Sequence, residues 1–126
     1  MTNSQAHAPP SDPTWHLADF GELASTACPC GQSQRAFMDV PDAPASLHRV
    51  EIGSDARAHY HKRLTEMYYV LDCEPGAELE LDGARVPVRP GQCCLIPPGV
   101  RHRAVGVLTI LTVVVPRFDP EDEWFD

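Results

Sequence analysis

Gly53-Ser-Asp-Ala-Arg-Ala-His59-Tyr-His61-Lys-Arg-Leu-Thr-Glu66-Met-Tyr68-Tyr-Val70 is the stretch around which the rest of the chain reads. Two histidines stand two apart in a β-prone run, and a carboxylate follows five residues later. Positions i and i+2 of a strand face the same side, so both imidazoles can point into one small volume. Glu66 is out of phase with that pair, which requires the chain to bend at Lys62-Arg63-Leu64-Thr65 to bring it in. A second piece, Gly91-Gln-Cys-Cys-Leu-Ile-Pro97-Pro98-Gly99-Val-Arg-His102, supplies a third histidine just after a turn. Three imidazoles and one carboxylate suit a divalent transition metal such as Fe, Mn, Ni, Cu, Co or Zn.

Outward from this core the signals are all-β. Short candidate strands run over 35–40, 46–52, 58–61, 66–72, 77–82, 84–89, 92–96, 101–105 and 107–115, with turn residues between them at near-regular intervals. Such spacing predicts a sandwich or barrel. Asp82-Gly83 lies between Glu78-Leu-Glu-Leu and Arg85-Val-Pro-Val and predicts a hairpin with a type I′ turn. Pro87 confines its strand to an edge or a bulge. Val107–Val115 is apolar on both faces, which predicts a buried strand with one side available to a partner subunit.

Before the barrel the chain changes character. Residues 1–13 are polar, carry Pro9, Pro10 and Pro13, and read as a disordered tail. Residues 14–34 form an N-terminal arm whose apolar anchors are Trp15, Leu17, Phe20 and Leu23, as a docked strand or a short helical turn; Cys28-Pro-Cys30-Gly31 then breaks any regular element. The barrel is expected over 35–126. Its end, Arg117-Phe-Asp-Pro-Glu-Asp-Glu-Trp-Phe-Asp, has too many apolar rings (Phe118, Trp124, Phe125) to stay loose, so it should fold back onto the barrel or a neighbour.

Length and composition bound the function. A chain of 126 residues builds one domain with one modest core. The net charge of −8 is divided as −3 over residues 1–34, −1 over 35–116 and −4 over 117–126, so the body is nearly neutral. That is not the basic stripe nucleic acid requires. No run is long enough to span a membrane, and the N-terminus lacks the pattern of a signal peptide. The expected location is the cytoplasm. Five cysteines, an odd number, there favour free thiols over a disulfide framework. Cys28 and Cys30 are too close for the usual redox or zinc motif, and adjacent Cys93 and Cys94 face opposite ways, so these and Cys73 read as structural thiols.

The pattern G-x5-H-x-H-x4-E followed by G-x5-P-x-G-x2-H resembles the two signature motifs of the cupin superfamily. The match runs from Gly53 to His102, about two-fifths of the chain. The resemblance implies a double-stranded β-helix, or jelly-roll, barrel in a small single-domain protein. It also implies that His59, His61, Glu66 and His102 bind one divalent metal inside the barrel, and that the protein forms homodimers. Two positions depart from the family pattern: Cys73 stands where a glycine is usual, with Gly76 three residues on, and Gly106 stands where an asparagine is usual. Both lie outside the ligand set and bear on loop geometry.

Tyr68 shares parity with Glu66 and should face the metal cavity, while Met67 and Tyr69 face away. Its phenol there either transfers a proton or fills space. Arg57, Lys62, Arg63, Arg101 and Arg103 flank the histidines and make a rim that would attract an anion, although surface placement is the simpler reading. His48 reads as packed rather than ligating. Two functions follow: a metal-dependent enzyme acting on a small oxygenated organic molecule, dioxygenase-like or sugar isomerase- or epimerase-like, with Glu66 and Tyr68 handling protons; or a small-ligand binding or sensor protein without turnover.

Overall fold

The computed structural model describes residues 14–53 and 56–126. Nine antiparallel strands form two sheets that face each other as a jelly-roll barrel. They are β1 (Ser25–Cys28), β2 (Gly31–Ala36), β3 (Ser46–Ile52), β4 (Thr65–Cys73), β5 (Glu78–Leu81), β6 (Ala84–Pro87), β7 (Cys93–Ile96), β8 (His102–Val105) and β9 (Leu108–Val115). One sheet has the order β1-β2-β3-β9-β4-β7 and the other β6-β5-β8. Alternation along β3, β4 and β9 sends Val50, Ile52, Val70, Leu108, Ile110 and Val114 inward, where they are buried with Leu79 and Ala104 of the opposite sheet.

Local chemistry accounts for the connections. Asp82 and Gly83 both take positive φ (49° and 86°), as a type I′ turn demands, and Leu81 pairs with Ala84 across it. Pro87 ends β6, the edge strand of its sheet, where its missing N–H leaves no gap in a ladder. Gly99 takes φ 90° after Pro98, and the Val100 N–H returns to the Pro97 carbonyl at 3.4 Å, turning the chain into β8.

Several expectations need correction. Residues 37–40 do not continue β2, because Phe37 adopts a left-handed φ of 70° that ends the strand at Ala36. Residues 58–61 make only isolated bridges, His59 to His102 and Tyr60 to Trp124. The Cys28-Pro-Cys30-Gly31 segment does interrupt regular structure, as the turn of the β1–β2 hairpin, but Arg35 falls inside β2 rather than at the start of the strands. Trp15 and Leu17 do not anchor the arm, being 83% and 89% exposed; the docked piece is a 3-10 turn at Phe20–Glu22, which the Gln34 side chain holds by donating to the Phe20 carbonyl. Cys28 and Cys30 are not free thiols. The hairpin turn brings their α-carbons to 5.2 Å and they form a disulfide, while Cys73, Cys93 and Cys94 are free. The tail expected over residues 1–13 lies outside the described residues.

The closing segment folds onto its own barrel. The carboxylate of Asp122 accepts the backbone N–H groups of Lys62, Arg63 and Leu64 at 3.0, 2.9 and 3.1 Å, and the indole N–H of Trp124 at 2.9 Å. Lys62 and Arg57 lie over the rings of Trp124 and Phe125. Asp122 thereby caps the bend that the chain needs between His61 and Glu66.

Candidate metal centre

His59 and His102 exchange backbone hydrogen bonds (3.1 and 2.9 Å), which sets their rings side by side with centroids 4.4 Å apart. His61 lies two residues along the same extended run, and Glu66 enters from β4 after the capped bend. The metal-binding atoms that these four residues offer all lie within 4.8 Å of one another, and all four residues are buried.

The hydrogen bonds decide what such a cluster can hold. His59 Nδ1 lies 3.1 Å from the Arg57 carbonyl, His61 Nδ1 2.7 Å from the Asp122 carbonyl and His102 Nδ1 2.8 Å from the Val100 carbonyl. A carbonyl only accepts, so each Nδ1 carries the hydrogen and donates. Each neutral ring therefore keeps its lone pair on Nε2. Yet the Nε2 atoms of His61 and His102 lie 3.0 and 2.9 Å from the same Glu66 oxygen, Oε1. A lone pair cannot face a carboxylate at that distance without positive charge between them. Either both imidazoles are protonated or a cation takes the place of the protons. The donor set, the fixed ring tautomers and the convergence on one oxygen all fit a divalent metal.

Electrostatics point the same way. Burial would raise the Glu66 carboxyl, but hydrogen bonds from His102 and His61 outweigh it and hold the group well below the usual carboxylate range. Burial would also discharge His61, but the bond to Glu66 and its charge hold its pKa above the ordinary value. His59, buried and beside His102, drops to about 4 and stays neutral at pH 7. Tyr68 is 4% exposed and burial, reinforced by Glu66, drives its pKa far up, so the phenol keeps its proton. Its ring meets His102 edge-on at 5.8 Å, while Met67 and Tyr69 face outward as parity requires.

The cavity over this cluster is small, about 30 Å³, roughly twice what one water molecule needs. Its walls include three residues that the sequence did not single out for the site, Arg35, Thr112 and Glu123, together with the disulfide pair Cys28–Cys30. His48 also lines it; its Nε2 lies 2.9 Å from the Ser46 hydroxyl, and burial with the Arg35 charge lowers it to about 4. The rim cations expected from the sequence are engaged elsewhere: Arg63 with Asp119, Arg101 with Asp126, Arg103 with Glu80, and Arg57 and Lys62 with the closing aromatic rings. A signal for Thr112 did exist. It shares parity with Leu108, Ile110 and Val114, so it is the one hydroxyl on an otherwise aliphatic inner face.

Comparison with known proteins agrees with this architecture. The family model described as Cupin domain matches residues 46–111. A crystal structure of a protein from Planctomyces limnophilus is 43% identical, with a TM-score of 0.85, covering 89% of this chain and 97% of that one. A nucleoside dehydratase from Streptomyces, solved with uridine, superposes with a TM-score of 0.75 at 20% identity, over 87% of this chain and 89% of its own. An ectoine synthase from P. lautus gives 0.69 at 18% identity, over 87% and 88%. At that identity the last two show a shared fold. No curated protein matches significantly.

Proposed function

The chain belongs to the cupin family, and from that premise we propose that His59, His61, Glu66 and His102 hold one divalent metal ion and that the barrel is an enzyme acting on a small oxygenated organic molecule. The carrying observation is the trio of Nδ1–H bonds to backbone carbonyls, which aims three imidazoles so that two of them meet a single carboxylate oxygen. A divalent ion there supplies Lewis acidity, polarising an oxygen of the ligand. The protein supplies the rest. Glu66 offsets the charge and, with one oxygen committed to His61 and His102, keeps its second to accept a proton. Tyr68, which keeps its proton at neutral pH and lines the cavity, would donate a hydrogen bond to a ligand oxygen. The hairpin, through Cys28 and Cys30, and the closing segment, through Phe118 and Glu123, form part of the cavity wall. That similar folds serve a dehydratase and a synthase is in keeping with an enzyme, and dioxygenase-like or isomerase-like chemistry remains the subclass to test.

A second reading, a sensor or binding protein without turnover, is favoured by the small volume of the cavity. Elemental analysis of natively purified protein tests the first reading: one metal ion per chain is expected, with its loss in His59→Ala and His102→Ala. Protein that folds and holds no metal overturns it. Tyr68→Phe then separates the readings, since an enzyme loses turnover while keeping its ligand and a sensor shows no turnover to lose.

The proposal includes a homodimer and a cytoplasmic location. The outer face of the larger sheet exposes Met67 (41%), Tyr69 (43%), Leu71 (42%) and Leu95 (63%) beside half-buried Leu111 and Val113, a contiguous apolar surface fitted to a second copy of itself. Three free thiols are in keeping with a reducing compartment, whereas the Cys28–Cys30 disulfide is a bond that such a compartment tends to open. Among the described residues no helix is long and apolar enough to cross a membrane.

A further inference from the structure

Four side chains stand in one row across the inner face of the larger sheet. Arg35 is the register partner of His48, His48 of Thr112, and Thr112 of Tyr68. All four line the same cavity as His59, His61 and Glu66. Two of them hold polar capacity that the fold leaves unused. Thr112 is 3% exposed and its Oγ1 has no hydrogen-bond partner. A buried hydroxyl in that condition destabilises the fold unless something else engages it. The Arg35 guanidinium is half-buried; its Nε donates to Ser33 Oγ at 3.1 Å and it lies 4.7 Å from the centre of the Phe118 ring. Among the described residues no carboxylate lies within ion-pair distance of it, whereas the flanking cations of the histidine motif are engaged with acids or rings.

Charge bookkeeping sharpens the point. With a divalent ion in place, that ion and Arg35 would bring three positive charges against the two carboxylates of Glu66 and Glu123. The cavity is then left with positive charge in a poorly solvated space, a condition an anionic ligand relieves.

We infer that the Arg35–Thr112 row is an anion subsite, in which Arg35 takes the carboxylate of a small 2-oxo or 2-hydroxy acid and the Thr112 hydroxyl donates to one of its oxygens. The inference rests on the metal reading above, since the second oxygen of such an acid is directed at the ion. It fixes the substrate class as a compact chelating acid rather than a sugar. A planar carboxylate matches the guanidinium fork, and a small cavity favours a compact acid over a sugar.

The test is calorimetric titration of metal-loaded protein with oxalate and with oxamide, its uncharged isostere, with metal content measured on each sample. The ion itself favours the anion, so the decisive quantity is how the preference changes in Arg35→Gln. That variant should keep its metal and lose about 10- to 100-fold of the oxalate preference, the worth of one charge-assisted hydrogen bond. Arg35→Lys should retain part of it. Thr112→Val should raise the melting temperature of the ligand-free protein, by removing the unpartnered hydroxyl, and yet weaken oxalate binding. An unchanged preference in Arg35→Gln, or a Thr112→Val protein that is less stable and binds oxalate as before, overturns the inference. If Arg35→Gln does not fold, Arg35→Lys and Thr112→Val decide. If wild-type protein takes up no metal, the proposed function fails, and the subsite is judged by whether oxalate raises the melting temperature of the metal-free protein in an Arg35-dependent way.

Discussion

Replacing Asp122 tests how the closing segment supports the metal centre. Asp122 is 4% exposed, and its carboxylate accepts three consecutive backbone N–H groups and an indole N–H, all between 2.9 and 3.1 Å. Burial would raise its pKa, but these donors hold it at about 2, against an ordinary 3.8. A difference of nearly two units corresponds to about 2.5 kcal/mol of folding free energy. The folded pKa is depressed, so this stability is complete above the unfolded pKa and disappears as pH falls through the folded one; about half is gone by pH 3. Asp122→Ala also leaves the buried Leu64 N–H unpartnered, so the expected loss at pH 7 is about 3 kcal/mol, or roughly 10 °C in melting temperature for a chain of this length. Asp122→Asn keeps one acceptor and should fall between the two. Urea denaturation of metal-free protein at pH 7 and pH 3 reads both quantities. A loss below about 0.5 kcal/mol at pH 7, or a gap from wild type that does not narrow on acidification, would refute the reasoning.

Two further substitutions probe the walls and the outside of the barrel. A β-carbon on Gly31, at φ 142°, would sit 2.3 Å from the Glu51 carbonyl oxygen, so Gly31→Ala should cost at least about 2 kcal/mol and loosen the β1–β2 hairpin, seen as faster proteolysis near Pro29. Equal stability and equal cleavage would count against the hairpin as a fixed wall. Leu95→Asp places a charge on the most exposed residue of the apolar face, and light scattering should show the dimer dissociating to monomer without loss of metal; a wild type that is already monomeric at all concentrations removes that surface from consideration.

The parts legible in the sequence are those governed by local rules. Asp82-Gly83 turned the hairpin, Pro98-Gly99 turned the chain into β8, and period-two parity put Tyr68 inside with Met67 and Tyr69 outside. A sandwich or barrel followed from these; the jelly-roll and the set of four residues that converge beneath the cavity came with the resemblance to the cupin motifs. What sequence reading missed depends on register between distant strands. Arg35 reaches the cavity only because β2 pairs with β3 and β3 with β9, and the sequence carries no mark of that pairing. Nothing in the sequence sets Asp122 and Glu123 apart from the other acids of the tail, and only the return of that tail over the Lys62–Leu64 bend buries one and turns the other inward. The disulfide was missed because two cysteines separated by one proline look too close, until a hairpin turn carries them to opposite sides.

The anchoring of His61 by the Asp122 carbonyl has a consequence for the order of events in synthesis. Residue 122 leaves the ribosome after every strand of the barrel, so a chain still being made has histidines without a finished ring orientation and a bend without its cap. The metal centre is therefore the last part of the described fold to be completed. On the metal reading proposed above, a growing chain would offer passing ions only loose imidazoles, and selection among metals would be deferred until the whole barrel is there to impose its geometry.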